Sequence, residues 1–184
     1  MINERGYWTS TAETNTHMVD DVLINALLFL FSEVKSVIDI GCGNGGYTRA
    51  FLKSNISCIG YDGSPLTPDI TEGLCGVADF SEVQNLGSYE LVLSLEVGEH
   101  IPEQYEQVFI DNVCRMSNKY VCLSWAVVGQ NGVGHVNCKD NDYIIEQMAR
   151  RGFWYDEASS EFLRLNSSHE IFPWFKNTLM VFEK

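Results

Sequence analysis

Basic residues are scarce in this chain of 184 residues: 12 Lys and Arg stand against 25 Asp and Glu, a formal net charge of −13. A protein that coats nucleic acid needs a basic face, and one that adheres to anionic lipid needs a polybasic patch, so both partner classes are set aside. Long apolar runs are also missing. The longest, Val22 to Phe31, is interrupted by Asn25 and falls short of the ~20 residues a membrane span requires. The opening MINERGYWTS has neither the basic start nor the apolar stretch of a secretory signal, so a cytoplasmic protein is expected. The six cysteines (Cys42, Cys58, Cys75, Cys114, Cys122, Cys138) include no CxxC pair. Several lie in apolar runs such as SCIG and YVCLSW, where a thiol packs as a small hydrophobe, and we read them as reduced thiols. There is no repeat, low-complexity segment or linker. With 45% hydrophobic and 20% charged residues the composition is that of a soluble globular protein. One domain over 1–184 is expected, with 1–34 as an N-terminal cap segment and helix and 35–184 as the core. The acidity leaves open a nucleotide-derived ligand held by backbone amides, or a neutral substrate.

What is present is alternation. After a polar and aromatic segment to Thr16, His17 to Phe31 reads as a helix with apolar positions at Val19, Val22, Leu23, Ala26, Leu27 and Leu30. Strand-like runs follow at Ser36–Ile40, Ser57–Tyr61, Leu74–Ala78, Glu90–Leu95 and Lys119–Trp125. Helices are expected after the first of these, through Lys53, from Pro102 toward Met116, and over Asn141–Arg150. The terminal TLMVFE is strand-like and is expected beside Phe153–Tyr155. Strands separated by helices imply βαβ units, hence a doubly wound α/β fold with a mainly parallel sheet covered on both faces.

In such folds ligands sit at the carboxyl ends of the strands, so the chemistry is sought there. The first strand ends in Asp39-Ile40-Gly41-Cys42-Gly43-Asn44-Gly45-Gly46. Its glycines allow a tight turn and a close backbone approach, and the following helix offers its N-terminal amides to a ligand. Gly41, Gly43 and Gly46 also satisfy GxGxxG, so a dinucleotide is an alternative. Asp39 speaks against it: a carboxylate here suits a cationic amino group and sits poorly beside a pyrophosphate. S-adenosylmethionine carries the former and no phosphate. Asp62, ending the second strand, is placed for two ribose hydroxyls, and Asp79-Phe80 after the third for the adenine amino group and ring.

On SVIDIGCGNGGYT, IGYDGSP, VADF and LVLSLEVGEHIP, in that order and spacing, the chain resembles the class I S-adenosylmethionine-dependent methyltransferases from about Arg5 to the C-terminus. The resemblance implies a Rossmann-like sheet of seven strands with the last antiparallel. It also implies that Asp39, Gly41, Gly43 and Gly45, with Cys42 and Leu95, line the methionine part of the cofactor, and that Asp62 binds its ribose. The stretch between Asp62 and Asp79 is short for the family, so the second helix of the core is expected to be little more than a turn.

Glu96-Val97-Gly98-Glu99-His100 follows the fourth strand. If it forms one helical turn, residues 96, 99 and 100 share a face. Two carboxylates and an imidazole there make a candidate Mg²⁺ or Mn²⁺ site. The ExxEH arrangement resembles that of metal-dependent O-methyltransferases, namely small-RNA 2′-O-methylating enzymes and catechol-type enzymes of ubiquinone biosynthesis, which complete the site with a later His. His135, in the glycine-rich GQNGVGH loop, is the candidate here. The expected metal set is therefore Glu96, Glu99, His100 and His135.

Methyl transfer from a sulfonium requires in-line alignment and deprotonation of the nucleophile. A metal would acidify a hydroxyl while His100 or His135 accepts its proton. Two open metal positions suit vicinal diols, and the charge sets RNA aside, leaving a glycan or other small-molecule acceptor. Tyr7, Trp8, Trp125 and Trp174 are candidate acceptor-pocket walls, with His17 closing over the cofactor. The alternatives are a metal-free methyltransferase acting on a small metabolite and a non-catalytic cofactor-binding module or nicotinamide enzyme. The sequence leaves the oligomeric state open.

Overall fold

The strand segments alternate in a way that fixes which face each residue covers. In a computed structural model, which describes residues 2–10 and 17–184, β1 (Ser36–Ile40) sends Val37 into one core and Ile38 and Ile40 into the other. β4 (Tyr89–Ser94) and β5 (Ser117–Ser124) do the same, with Leu91, Leu93 and Cys122 on one face and Val92, Val121 and Leu123 on the other. Both faces are apolar because both are covered. On the first lie α1 (Asp21–Leu30), α2 (Gly46–Lys53) and α6 (Glu157–Leu165), through Leu23, Leu27, Phe51 and Leu163. On the second lie α4 (Glu106–Met116) and α5 (Asn141–Ala149), through Phe109, Val113, Ile144 and Met148. Each fully buried side chain of this size contributes about 1.5–3 kcal/mol.

With β2 (Ser57–Asp62), β3 (Gly76–Val77), β6 (Trp154–Asp156) and β7 (Leu179–Glu183), the sheet has seven strands in the order β3-β2-β1-β4-β5-β7-β6. β1 pairs parallel with β2 and β4, whereas β7 runs antiparallel to both β5 and β6. The strand order reverses between β1 and β4, which opens a crevice at their carboxyl ends. This is the doubly wound sheet with its last strand antiparallel that the sequence implies, and TLMVFE pairs with β6 as expected.

Several elements differ from expectation. α1 begins at Asp21, not His17, because the Asp20 carboxylate takes the N-cap, accepting from the Val22 and Leu23 amides at 3.0 and 3.1 Å. That frees His17 to face the crevice. β3 shrinks to two residues, and the helix before it, α3 (Thr67–Ile70), is one turn, as its short span requires. Pro102 is extended and caps a single 3₁₀ turn, Glu103–Tyr105, so α4 starts only at Glu106. α6 and the turn α7 (Phe175–Thr178) were not anticipated. The N-terminal segment expected through Thr16 falls partly on residues 1 and 11–16, which lie outside the described residues. Among the described residues, no helix is long and apolar enough to cross a membrane.

Candidate active site

The backbone after β1 turns on hydrogen bonds to the end of β2. The Gly41 and Cys42 amides donate to the Tyr61 carbonyl at 2.8 and 3.1 Å, and the Gly43 amide donates to the Asp62 carboxylate at 3.0 Å. The other Asp62 oxygen accepts from the Ser64 amide at 2.9 Å. Gly43 has φ 54°, and a Cβ there would collide with the His17 imidazole, so the turn requires glycine on both counts. Gly45 supplies the left-handed N-cap of α2 but packs toward Cys75 and Thr71, away from the crevice.

Alternation places Asp39 on the face opposite Ile38 and Ile40, at the floor of the crevice. It is buried, and Thr48 Oγ1 donates to it at 2.7 Å. Burial raises its pKa to about 7, with Asp62 adding to the rise and Thr48 opposing it. Among the described residues its hydrogen bonds come from Thr48 alone, hydroxyl and backbone, and no cation offsets its charge, so a cationic amino group would complete it.

A cavity of about 530 Å³ opens above it, lined by Asp39, Gly41, Cys42, Gly43 and Leu95 on one side and by Glu96, His100 and His135 on another. Trp8, Met18, Val133, Phe172, Trp174 and Phe175 close it with apolar surface. Among the described residues neither Lys nor Arg lines it, which argues against a pyrophosphate ligand. A smaller neighbouring cavity of about 80 Å³ is lined by Asp62, Gly63, Asp79 and Phe80, with Tyr7 packed over Gly63. Here Arg5 reaches in and pairs with Asp79 at 3.1 Å, and the other Asp79 oxygen accepts from the Ser81 amide at 2.9 Å and from its hydroxyl at 2.6 Å. Asp79 is thus engaged by protein groups. Trp125 is not a wall residue: it is 1% exposed in the core, its indole N–H donating to the Asn137 carbonyl at 2.7 Å. His17 does reach the cavity, where its ring lies 6.3 Å from that of Trp8, and burial lowers its pKa.

One helical turn across residues 96–100 does not form. Glu96 has φ 54°, and only Gly98–His100 makes a 3₁₀ turn, against Trp125. Glu96 therefore faces Glu99 from beyond the strand end and falls outside the set of converging ligand atoms, while Glu99 and His100 come from the turn. Ligand atoms of Glu99, His100 and His135 all lie within 4.8 Å of one another. The carbonyl of Glu99 accepts from the Val136 and Asn137 amides at 2.9 and 3.0 Å, which ties the turn to the loop carrying His135. Both imidazoles have their tautomer set by backbone. His100 Nδ1 contacts the Gly134 carbonyl at 3.1 Å and His135 Nδ1 the Gln130 carbonyl at 3.3 Å. A carbonyl only accepts, so each Nδ1 carries a proton and Nε2 is the nitrogen each ring turns toward the cluster, that of His135 lying 3.9 Å from Glu99 Oε1. Burial, with His135 and His17 nearby, lowers the His100 pKa to about 4, which keeps it neutral at pH 7.

Glu99 is the least satisfied group in the cluster. It is 0% exposed, and neither carboxylate oxygen has a hydrogen-bond partner. Burial and the facing Glu96 carboxylate hold its pKa well above the usual range. Gly132 leaves His135 Nε2 uncovered, since a Cβ there would collide with that nitrogen. One buried carboxylate and two imidazoles, with the Glu96 carboxylate facing Glu99 beside them, are a donor set suited to Mn²⁺, and an orphaned buried carboxylate is what a cation would complete. The residues fit a divalent metal.

Sheet order, glycine turn and strand-end acids together define the class I S-adenosylmethionine-dependent methyltransferase architecture. A family model described as "Methyltransferase domain" matches residues 15–158. Over 109 residues the chain is 28% identical to the chloroplastic tocopherol O-methyltransferase of Arabidopsis thaliana, covering 50% of this chain and 31% of that protein. The chain thus spans about a third of the length of the curated relatives it matches. Its fold is similar to that of magnesium protoporphyrin IX methyltransferase from Synechocystis PCC 6803 with bound SAH, with a TM-score of 0.69, 15% identity, and coverage of 98% of this chain and 97% of that one. It is also similar to the methyltransferase domain of bacterial CtHen1, with a TM-score of 0.60, 15% identity, and coverage of 89% and 97%. The chain belongs to the class I S-adenosylmethionine-dependent methyltransferase family.

Reading the sequence missed Gln130, Asn44, Met18 and Val133 at the site. Asn44 donates to the His17 carbonyl at 2.7 Å and so tethers that residue to the glycine turn. Only Gln130 had a local signal, as the long polar side chain in a glycine-rich loop already singled out for His135.

Proposed function

We propose that the chain transfers a methyl group from S-adenosylmethionine to a hydroxyl of a vicinal diol, on a sugar, glycan or other small acceptor, assisted by a divalent metal. The observation that carries this reading is the buried Glu99 carboxylate, unpartnered at both oxygens, beside two imidazoles that turn Nε2 toward the cluster, in the same cavity as Asp39 and the glycine turn. Asp39 holds the cofactor's amino group, and Gly41, Cys42, Gly43 and Leu95 line its methionine part. Asp62 keeps lone pairs for two ribose hydroxyls, while Phe80 offers a face to the adenine. Asp79 contributes to that end once Arg5 yields to it. Gly45 acts through the turn alone.

Glu96, Glu99 and one or both of His100 and His135 would hold the metal, which would lower the pKa of the acceptor hydroxyl and fix its direction. Trp8, Phe172 and Trp174 exclude water and press the acceptor toward the sulfonium, so that the hydroxyl oxygen, the methyl carbon and the sulfur come into line. The O–C bond forms as the S–C bond breaks. The hydroxyl proton passes to His100 or His135 where its Nε2 does not hold the metal, one ring then serving as base and the other as ligand. Net charge of −13 and the absence of Lys and Arg from the cavity favour a neutral acceptor over an RNA strand.

A metal-free methyltransferase acting on a small metabolite is the second reading. What favours it is that Glu99 can stay neutral by burial, as a donor toward Glu96 and without a cation. One assay separates the two: S-adenosylhomocysteine release, with and without EDTA, across monosaccharides, catechols, RNA and carboxylates. Metal-dependent turnover on a vicinal diol is expected. Equal turnover with EDTA, or turnover confined to acids or amines, would give way to the second reading. Cofactor binding with no turnover on any acceptor would reduce the chain to a binding module.

A further inference from the structure

The loop after β5 does more than deliver His135. Gln130 makes two hydrogen bonds to the candidate ligand set, in opposite senses. Its backbone carbonyl receives Nδ1–H of His135 at 3.3 Å, and its side-chain amide Nε2 donates to Glu96 Oε2 at 3.0 Å. A carboxylate accepts only, so the amide nitrogen is the end that faces it. Thr178 Oγ1 makes a long contact to the other Glu96 oxygen, at 3.4 Å, and the Ser124 hydroxyl and the Glu99 carboxyl also lie within hydrogen-bonding reach of this carboxylate. The amide is the side-chain donor that reaches it from the loop carrying His135.

Glu96 needs such a hold. It leaves β4 through a left-handed residue and does not share a helical face with Glu99, so no local periodicity aims it at the cluster. Its carboxylate also faces that of Glu99, and two such groups repel unless something fixes them. Resting on the metal-assisted reading, we infer that Gln130 is a positioning residue of the metal site, which locks the Glu96 carboxylate through its amide and the His135 tautomer through its carbonyl. One residue thereby couples ligands that arrive from the ends of two neighbouring strands. The side chain and the backbone act separately: a substitution at 130 removes the hold on Glu96 and leaves the hold on His135.

The test is a Mn²⁺ titration followed by the electron paramagnetic resonance of the free ion, on wild type, Gln130→Ala and the near-isosteric Gln130→Met. S-adenosylhomocysteine affinity is measured on each as a check of the fold. Loss of an outer hydrogen bond to a metal ligand costs about 10–100-fold in metal affinity. Both variants are expected to bind Mn²⁺ at least tenfold more weakly, with S-adenosylhomocysteine affinity unchanged. In a Glu96→Gln background, Gln130→Met should then cost nothing further, because its effect passes through Glu96. Unchanged Mn²⁺ affinity in both variants, or the same loss with and without Glu96, would overturn the positioning role while wild-type binding upholds the metal. Absence of Mn²⁺ binding to wild type would instead overturn the metal-assisted reading, and the role of Gln130 with it.

Discussion

The two halves of the cavity are built differently. The cofactor half is made from consecutive strand ends: Asp39 and Gly41–Gly43 after β1, and Asp62 after β2, tied by the Gly43 amide to the Asp62 carboxylate. The half proposed to hold a metal is assembled from a 3₁₀ turn, a strand-end residue and the glycine-rich loop after β5, joined by the backbone bonds from residues 136 and 137 to Glu99. A half held by the parallel sheet needs little beyond its own local segment. A half drawn from separate loops depends on long-range hydrogen bonds, and these are what a substitution can remove one at a time.

If the halves are separable, substitutions should divide cofactor binding from metal binding. The largest effect is expected for Glu99→Gln, which removes a ligand charge from the centre of the cluster. Mn²⁺ affinity should fall by more than about 100-fold, beyond the range of an outer-contact loss, with S-adenosylhomocysteine affinity kept; calorimetry with each ligand reads both. Asp39→Asn should do the converse. It loses a charge-assisted contact to the cofactor's amino group, of about 1.5–3 kcal/mol, so S-adenosylhomocysteine binds roughly 10–100-fold more weakly while Mn²⁺ is unaffected. Loss of both ligands in either variant would erase the distinction.

A pH series sharpens the cofactor half. Burial raises the Asp39 pKa to about 7 in the folded, cofactor-free protein, against an ordinary aspartate value of 3.8. The folded state therefore holds its proton more tightly, so Asp39's contribution to stability is full below about pH 4 and is lost as pH rises through about 7. Binding of a cationic amino group needs the ionised form, so S-adenosylhomocysteine affinity should rise with pH up to about 7 and then level off. Asp39→Asn should flatten that rise and make the cofactor-free protein more heat-stable than wild type at pH 8. Thermal scans and calorimetry across pH 5–9 would show both, and an unchanged slope in the variant would remove Asp39 from the account.

The smallest expected effect lies at the rim. Arg5→Ala breaks the ion pair with Asp79, but Ser81 still donates twice to that carboxylate. S-adenosylhomocysteine affinity should change by less than about threefold, as befits a solvent-screened pair. A tenfold change in either direction would make the N-terminal segment part of the cofactor half.

The same contrast explains what was legible in the sequence. The cofactor half could be read because its chemistry is local: an alternating strand such as SVIDI places Asp39 opposite Ile38 and Ile40, and the glycines that follow declare the turn. Asp20 misled the reading of α1 only at its start, by capping it four residues later than periodicity allowed. Glu96, Glu99, His100 and His135 were legible as residue types, yet not as an arrangement, because Glu96 is left-handed where a helical turn was expected. The wall formed by Phe172 and Phe175 was illegible, since β5 and β7 are neighbours only in the folded sheet, and Gln130 showed only as a polar side chain in the loop of His135. Helix α6 did carry a signal in Asp156, whose carboxylate caps it by accepting from the Ser159 amide at 3.0 Å.

One measurement bears on the central claim without an acceptor in hand. Crystals grown with S-adenosylhomocysteine and soaked in Mn²⁺ would be measured for anomalous scattering. The account predicts a single strong peak within the cluster of Glu96, Glu99, His100 and His135, in the same cavity as the bound cofactor. Ordered S-adenosylhomocysteine with no anomalous peak in that cluster would contradict it.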